Sequence, residues 1–274
     1  MTTLPLAYQL YKADGKSTER KPVLLCMHGF FGSKRQWMSI APRMAKLLDH
    51  DIYALDMRNH GQSPHTYPHR YPEMVHDIET FVKALGVDRV SLMGHSMGGK
   101  VCMTTALMNP GLVDRLVIED NVPCWVKLMH DYGYYIEGMR KIGERRVKSR
   151  READEMLAEY VDDAGMRRFV LSNLVKRHGD TEYRWEISLD NLLEGYQYMG
   201  GWDIPANADG SGRQFGGPAL FVCGAKSKFW TAERQPAIDQ QFPKNQVVLL
   251  ETGHNVAWER PREFLDAVAG FFGK

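Results

Sequence analysis

The sequence predicts an α/β protein, with a mostly parallel sheet flanked by helices and a helical cap inserted into it. Three observations predict it. Short apolar runs alternate with helix-length amphipathic segments through the first half. The rhythm breaks after Cys124 into a charged helical stretch, and strand patterns resume at Ala219. At 274 residues the chain has room for one large domain with an insertion. The core is expected over 1–123 and 216–274, and the cap over 124–215.

Leu6–Tyr11 alternates and runs into Asp14-Gly15, a turn signal that predicts an antiparallel hairpin at the start. Val23–His28 is a continuous apolar run, as suits a strand buried on both faces. A helix pattern covers about 34–48, and a second apolar run spans Ile52–Asp56. Met74, Ile78, Phe81, Val82 and Leu85 fall on one helical stripe, which Gly86 closes. Val90–Met93 reads as the next strand, Gly98–Leu107 as a helix and Val113–Asp120 as another strand. From Trp125 to Gly201 the pattern is helical, without strand alternation, and it leads to a Gly-rich linker at 207–212. Strands follow at Ala219–Cys223 and Gln246–Leu250. Pro261 then opens a last helix, whose buried stripe is Phe264, Leu265, Val268, Phe271 and Phe272.

Composition narrows the functional classes. Thirty-five Lys and Arg against 34 Asp and Glu leave a net charge of +1, which exerts no global pull on nucleic acid or acidic lipid. No apolar run approaches the roughly 20 residues that span a bilayer. Met1–Pro5 carries neither the basic nor the apolar region of a secretory signal. The expected location is therefore cytoplasmic, or the mitochondrial matrix if a transit peptide has been trimmed. Cys26, Cys102, Cys124 and Cys223 lie far apart and read as buried free thiols of a reducing compartment. His60, His65 and His69 lie on a proline-interrupted loop and read as surface histidines. No metal and no cofactor are expected.

Gly94-His95-Ser96-Met97-Gly98 follows a strand pattern and precedes a helix pattern, the setting in which G-x-S-x-G forms a nucleophile elbow. Side chains at Gly94 and Gly98 would clash in so tight a turn. Ser96 is projected at the helix amino end, where the dipole favours developing negative charge. A serine needs a base, and His254 lies past the last strand run on the same sheet edge. His28 belongs to a loop-forming His-Gly pair, and His95 points away from the serine it adjoins. For the oxyanion, backbone donors are expected at Met97 and at Phe30, with Phe31 second, in the loop His28-Gly29-Phe30-Phe31-Gly32. The acid slot after the strand that follows the cap holds Ser227 and no carboxylate. Asp120, at the end of the strand before the cap, is the candidate acid, while Glu119 is one pleat out of phase.

Together, His28–Lys34, Asp56–Pro64 and Gly94–Lys100 resemble one branch of the α/β-hydrolases. That branch holds mitochondrial α/β-hydrolase-domain esterases, small bacterial esterases of short acyl esters and thioesters, and yeast ethanol acetyltransferases. The resemblance covers about 22–122 and 218–270; the cap shows none. It implies an acid at Asp120 and a small-molecule acyl ester or thioester as substrate. Aspartate-nucleophile relatives are excluded, because serine occupies the nucleophile slot. Two rivals stay open: transfer of the acyl group to an alcohol, and a non-catalytic ligand-binding homologue. The loop Arg58-Asn59-His60-Gly61 reads as a turn. The basic stretch from Arg140 to Arg151 reads as a solvated helix face, with a phosphate-bearing acyl carrier as the alternative.

Overall fold

A computed structural model describes residues 5–14, 23–128 and 131–274. In chain order, β1 (Tyr8–Tyr11), β2 (Val23–Met27), α1 (Ala41–Leu48), β3 (Asp51–Leu55), α2 (Tyr71–Leu85) and β4 (Val90–His95) come first. The chain continues through α3 (Met97–Met108) and β5 (Val113–Glu119). Next come α4 (Tyr132–Arg145), α5 (Arg150–Leu157), α6 (Ala164–Leu171), β6 (Leu174–Val175), β7 (Arg184–Trp185) and α7 (Leu189–Gly195). The order closes with β8 (Ala219–Gly224), α8 (Gln235–Gln241), β9 (Asn245–Leu250), α9 (Val256–Glu259) and α10 (Pro261–Phe271).

Among the described residues the main sheet has seven strands, in the order β1-β3-β2-β4-β5-β8-β9. All neighbours are parallel except β1, which runs antiparallel to β3. The alternation of side chains splits β2 between two apolar layers. Leu25 and Met27 join the cluster under α2 and α3, whereas Leu24 and Cys26 join the one under α1 and α10. Ile136, Met139, Ile142 and Leu157 of the inserted helices belong to the same cluster as Leu92 and Val101. The insertion therefore shares its core with one face of the sheet.

Two expectations are corrected, and a third falls partly outside the described residues. The opening strand pairs with β3, Tyr8 standing opposite Leu55, and the expected hairpin turn at Gly15 lies outside the described residues. Its register is decided by a partner distant in sequence, which turn chemistry does not encode. The helix at 34–48 is two pieces, a 3-10 turn at Lys34–Trp37 and then α1 with Pro42 in its first turn. A proline there is tolerated, whereas inside a longer helix it would remove a hydrogen bond. The insertion also contains the ribbon β6–β7, whose two-residue strands are too short to show a period of two.

Lys100 ties the insertion to the sheet. Completely buried in α3, its Nζ donates to the carbonyls of Cys124 at 2.9 Å, Gly200 at 3.1 Å and Gly201 at 2.7 Å. Desolvation pushes its pKa down to about 7.

The loop after β3 is anchored by a buried ion pair. Arg58 donates Nε and Nη2 to the two Asp77 oxygens at 2.6 and 2.7 Å, and Nη1 to the Pro68 carbonyl at 2.8 Å. Removing one partner leaves a buried charge uncompensated, at a cost of about 3–5 kcal/mol. Arg58→Ala is expected to lower Tm by roughly 6–20 °C, at about 2–4 °C per kcal/mol for a chain of this size. Arg58→Lys should lie between the variant and wild type in thermal melts followed by circular dichroism. A loss below about 2 °C for Arg58→Ala would contradict the anchoring role.

Candidate active site

β4 delivers Ser96 to the turn between strand and helix. From Val90 to Leu107 every residue is buried except Ser96. Its backbone is strained, at φ 50° and ψ −114°. A Cβ on Gly94 would stand 2.3 Å from the Gly98 carbonyl carbon, and one on Gly98 would stand 2.4 Å from the Met27 oxygen. Only glycine lets the helix start this close to the sheet. The turn is secured by Ser96 N–H donating to the Glu119 carbonyl at 3.0 Å and by Asn121 Nδ2 donating to the Ser96 carbonyl at 2.8 Å.

Asp120 and His254 meet directly. Asp120 is fully buried at φ 49° at the end of β5. His254 Nδ1–H donates to its Oδ2 at 2.5 Å. Ser227 Oγ donates to the same oxygen at 2.5 Å, and Gly224 N–H donates to Oδ1 at 3.0 Å. The residue in the usual acid slot thus hydrogen-bonds the carboxylate. Phe229 stacks on the His254 ring, with centroids 4.5 Å apart at 14°.

Glu119 does face the other way. Its Oε1 accepts the Ala257 N–H at 2.7 Å, in the first turn of α9 just beyond His254. Burial pushes this carboxyl up to about 8. His95 also bears on His254: its Nε2–H donates to the His254 carbonyl at 3.0 Å, and the two rings lie 4.6 Å apart. That role was invisible in sequence, since nothing at residue 95 signals a contact 159 residues away.

The loop before the 3-10 turn lies beside the elbow. Gly29 N–H donates to Gln36 Oε1 at 3.3 Å, Phe31 N–H to His60 Nε2 at 3.3 Å and Gly32 N–H to the Gly29 carbonyl at 2.9 Å. The Phe30 amide makes no hydrogen bond among the described residues. Met97 begins α3, where an amide has no acceptor within its own helix. The Phe30 ring lies 4.6 Å from that of Phe31 and 5.1 Å from that of Tyr132.

The surface reading of the loop histidines is overturned for two of them. His60 and His69 are 0% and 1% exposed, because α7 covers their loop. Ser188 N–H donates to the Asn59 carbonyl at 3.0 Å, and a Cβ on Gly195 would stand 2.6 Å from the His69 oxygen. Burial lowers the pKa of both rings, that of His69 to about 3. His28 is buried too, accepting the Met57 N–H on Nε2 at 3.0 Å, in keeping with a structural role. In the basic stretch, Arg145, Arg146 and Arg151 pair with Glu152, Glu182 and Glu155 at 3.6–3.7 Å, and Arg140 pairs with Asp190. This is the pattern of a solvated face.

The comparisons with known proteins agree with this architecture. A family model described as the alpha/beta hydrolase fold matches residues 22–261. The chain belongs to the α/β-hydrolase family. It is 35% identical over 271 residues to an sn-1-specific diacylglycerol lipase of Xenopus tropicalis, covering 97% of this chain and 81% of that one. It is 31% identical to ethanol acetyltransferase 1 of Eremothecium cymbalariae, covering 98% and 81%. A solved structure titled marine microorganism esterase superposes with a TM-score of 0.87 at 28% identity, covering 98% of this chain and all of the other. Among the described residues, no helix of this α/β-hydrolase is long and apolar enough to cross a membrane.

Glu119 gives the site a pH signature. The unfolded carboxyl ionises near 4.5, whereas the folded one holds its proton up to about 8. Between these values the native state binds more protons, so stability from this group falls as pH rises. Glu119→Gln keeps an oxygen for Ala257 and removes the titration. Its Tm relative to wild type is expected to climb by a few degrees from about pH 5 to about pH 8 in melts at each pH. A difference that does not change with pH would refute this.

Proposed function

We propose that the protein is a serine esterase that cleaves short- to medium-chain acyl esters, with thioesters as further substrates, through an acyl-enzyme on Ser96. The observation that carries the reading is the Asp120–His254 hydrogen bond at 2.5 Å beside a strained, glycine-flanked serine. In the proposed cycle His254 Nε2 takes the Ser96 proton as Oγ attacks the ester carbonyl. The Phe30 and Met97 amides receive the oxyanion. Collapse expels the alcohol or thiol, protonated by His254, and leaves the acyl group on Ser96. Water, deprotonated by His254, then attacks the acyl-enzyme and releases the acid. Asp120 holds the imidazole with Nδ1–H toward itself and stabilises the charged ring. The aromatic surroundings of Phe30, with Tyr132 brought from α4, favour a compact apolar acyl group.

A second reading shares every step up to the acyl-enzyme but passes the acyl group to an alcohol. The similarity to an ethanol acetyltransferase favours it. Incubation of an acetyl ester with ethanol separates the two, since acid as the dominant product favours hydrolysis and ethyl ester favours transfer.

The direct test is fluorophosphonate labelling, read by intact mass and peptide mapping. One adduct on Ser96 is expected, and none on Ser96→Ala. With p-nitrophenyl acetate, Ser96→Ala should lose at least about 10⁴-fold in kcat, and Asp120→Asn about 10³–10⁴-fold. Unchanged ester cleavage by Ser96→Ala would end the assignment. Saturable ligand binding without labelling or turnover would favour a non-catalytic binding protein.

A further inference from the structure

The loop that carries Phe30 is held from two directions, one of them the inserted helices. Phe31 sits at φ 60°, a region that bulky side chains occupy only under constraint. Both of its peptide groups are engaged. Its N–H donates to His60 Nε2 at 3.3 Å. The His60 ring donates Nδ1–H to the Arg58 carbonyl at 3.0 Å, which leaves Nε2 as the acceptor for Phe31. The carbonyl of Phe31 accepts Asn173 Nδ2 at 2.8 Å.

Asn173 lies between α6 and β6, 142 residues along the chain from Phe31. It is fully buried, and its Nδ2 also donates to the Val170 carbonyl at 3.2 Å. Both neighbours are carbonyls, so the amide must present its NH₂ group to the loop. Its Oδ1 has no partner among the described residues, a desolvation cost that a purely apolar side chain would avoid. The surrounding corner is braced. Arg35 donates Nη1 to Glu186 Oε2 at 2.9 Å and Nη2 to the Ser172 carbonyl at 3.2 Å. From the other side, Arg150 donates to the carbonyls of Leu171 at 3.1 Å and Leu174 at 2.8 Å.

We propose that Asn173 is a positioning residue for the oxyanion hole, setting the Phe30 amide by holding the Phe31 carbonyl. The proposal rests on the assignment of the Phe30 amide above. It makes the inserted helices part of the catalytic geometry as well as a cover. An ester in its ground state needs little from that amide, whereas a tetrahedral adduct depends on it.

The test uses the full chain, with Asn173→Leu, of similar volume and without a donor, and Asn173→Asp, whose ionised carboxylate can only accept. With p-nitrophenyl acetate, kcat is expected to fall by about 10–100-fold while KM stays within about twofold. The inhibition constant of phenylboronic acid, which adds to the serine as a tetrahedral anion, should rise by the same factor as kcat falls. Should Asn173→Leu fail to fold by circular dichroism, Asn173→Asp and Asn173→Ala carry the same comparison. Unchanged kcat, a loss confined to KM, or a kcat loss without weaker boronate inhibition would each overturn the proposal. Those outcomes with a fully active wild type leave the esterase reading standing. A wild type that cleaves no ester would remove that reading, and this proposal with it.

Discussion

The buried carboxylate of Asp120 is the constraint around which the site is arranged. It sits at the end of β5 with three donors: His254 Nδ1–H, Ser227 Oγ–H and the Gly224 amide. Those donors come from β8, the loop after it and the loop after β9, so one side chain draws three separate stretches of chain to a single point. A buried carboxyl group has to find hydrogen-bond partners within the protein. Satisfying it therefore orients the imidazole. The neighbouring Glu119 faces the opposite way and anchors the turn beyond His254. Adjacent acids thus hold His254 and the turn that follows it.

The serine turn and the loop of Phe30 and Phe31 are strained, and each is held by polar contacts. Ser96 and Phe31 both adopt positive φ. Asn121 and the Glu119 carbonyl secure the first, and His60 and Asn173 secure the second. Such backbone conformations persist only where the surroundings over-determine them. The insertion contributes to the second through Asn173, and Asn191 donates to Asn59 Oδ1 at 2.9 Å, one residue before His60.

Much of this was legible in the residues. The apolar runs at Val23–Met27, Val90–Met93 and Ala219–Cys223 are strands because a parallel strand buried on both faces has no polar positions to spare. The pairing of Asp120 with His254 was legible too, because the usual acid slot holds Ser227 and alternation excludes Glu119. Less legible were contacts made at long range. Nothing near His60 or His69 announces that α7 will cover them, and nothing near Leu6–Tyr11 names β3 as its partner.

By itself, then, the sequence determined the α/β order, the glycine-bracketed serine and the chemical types of its candidate partners. Those features are local: periodicity, turn sterics and residue chemistry act over a few positions. The tertiary structure decided which buried groups meet: His95 on His254, Ser227 on Asp120, His60 and Asn173 on Phe31. Each of these contacts joins residues 29 or more positions apart. Their geometry follows from packing sheet, loops and inserted helices into one core, which no short window of sequence contains.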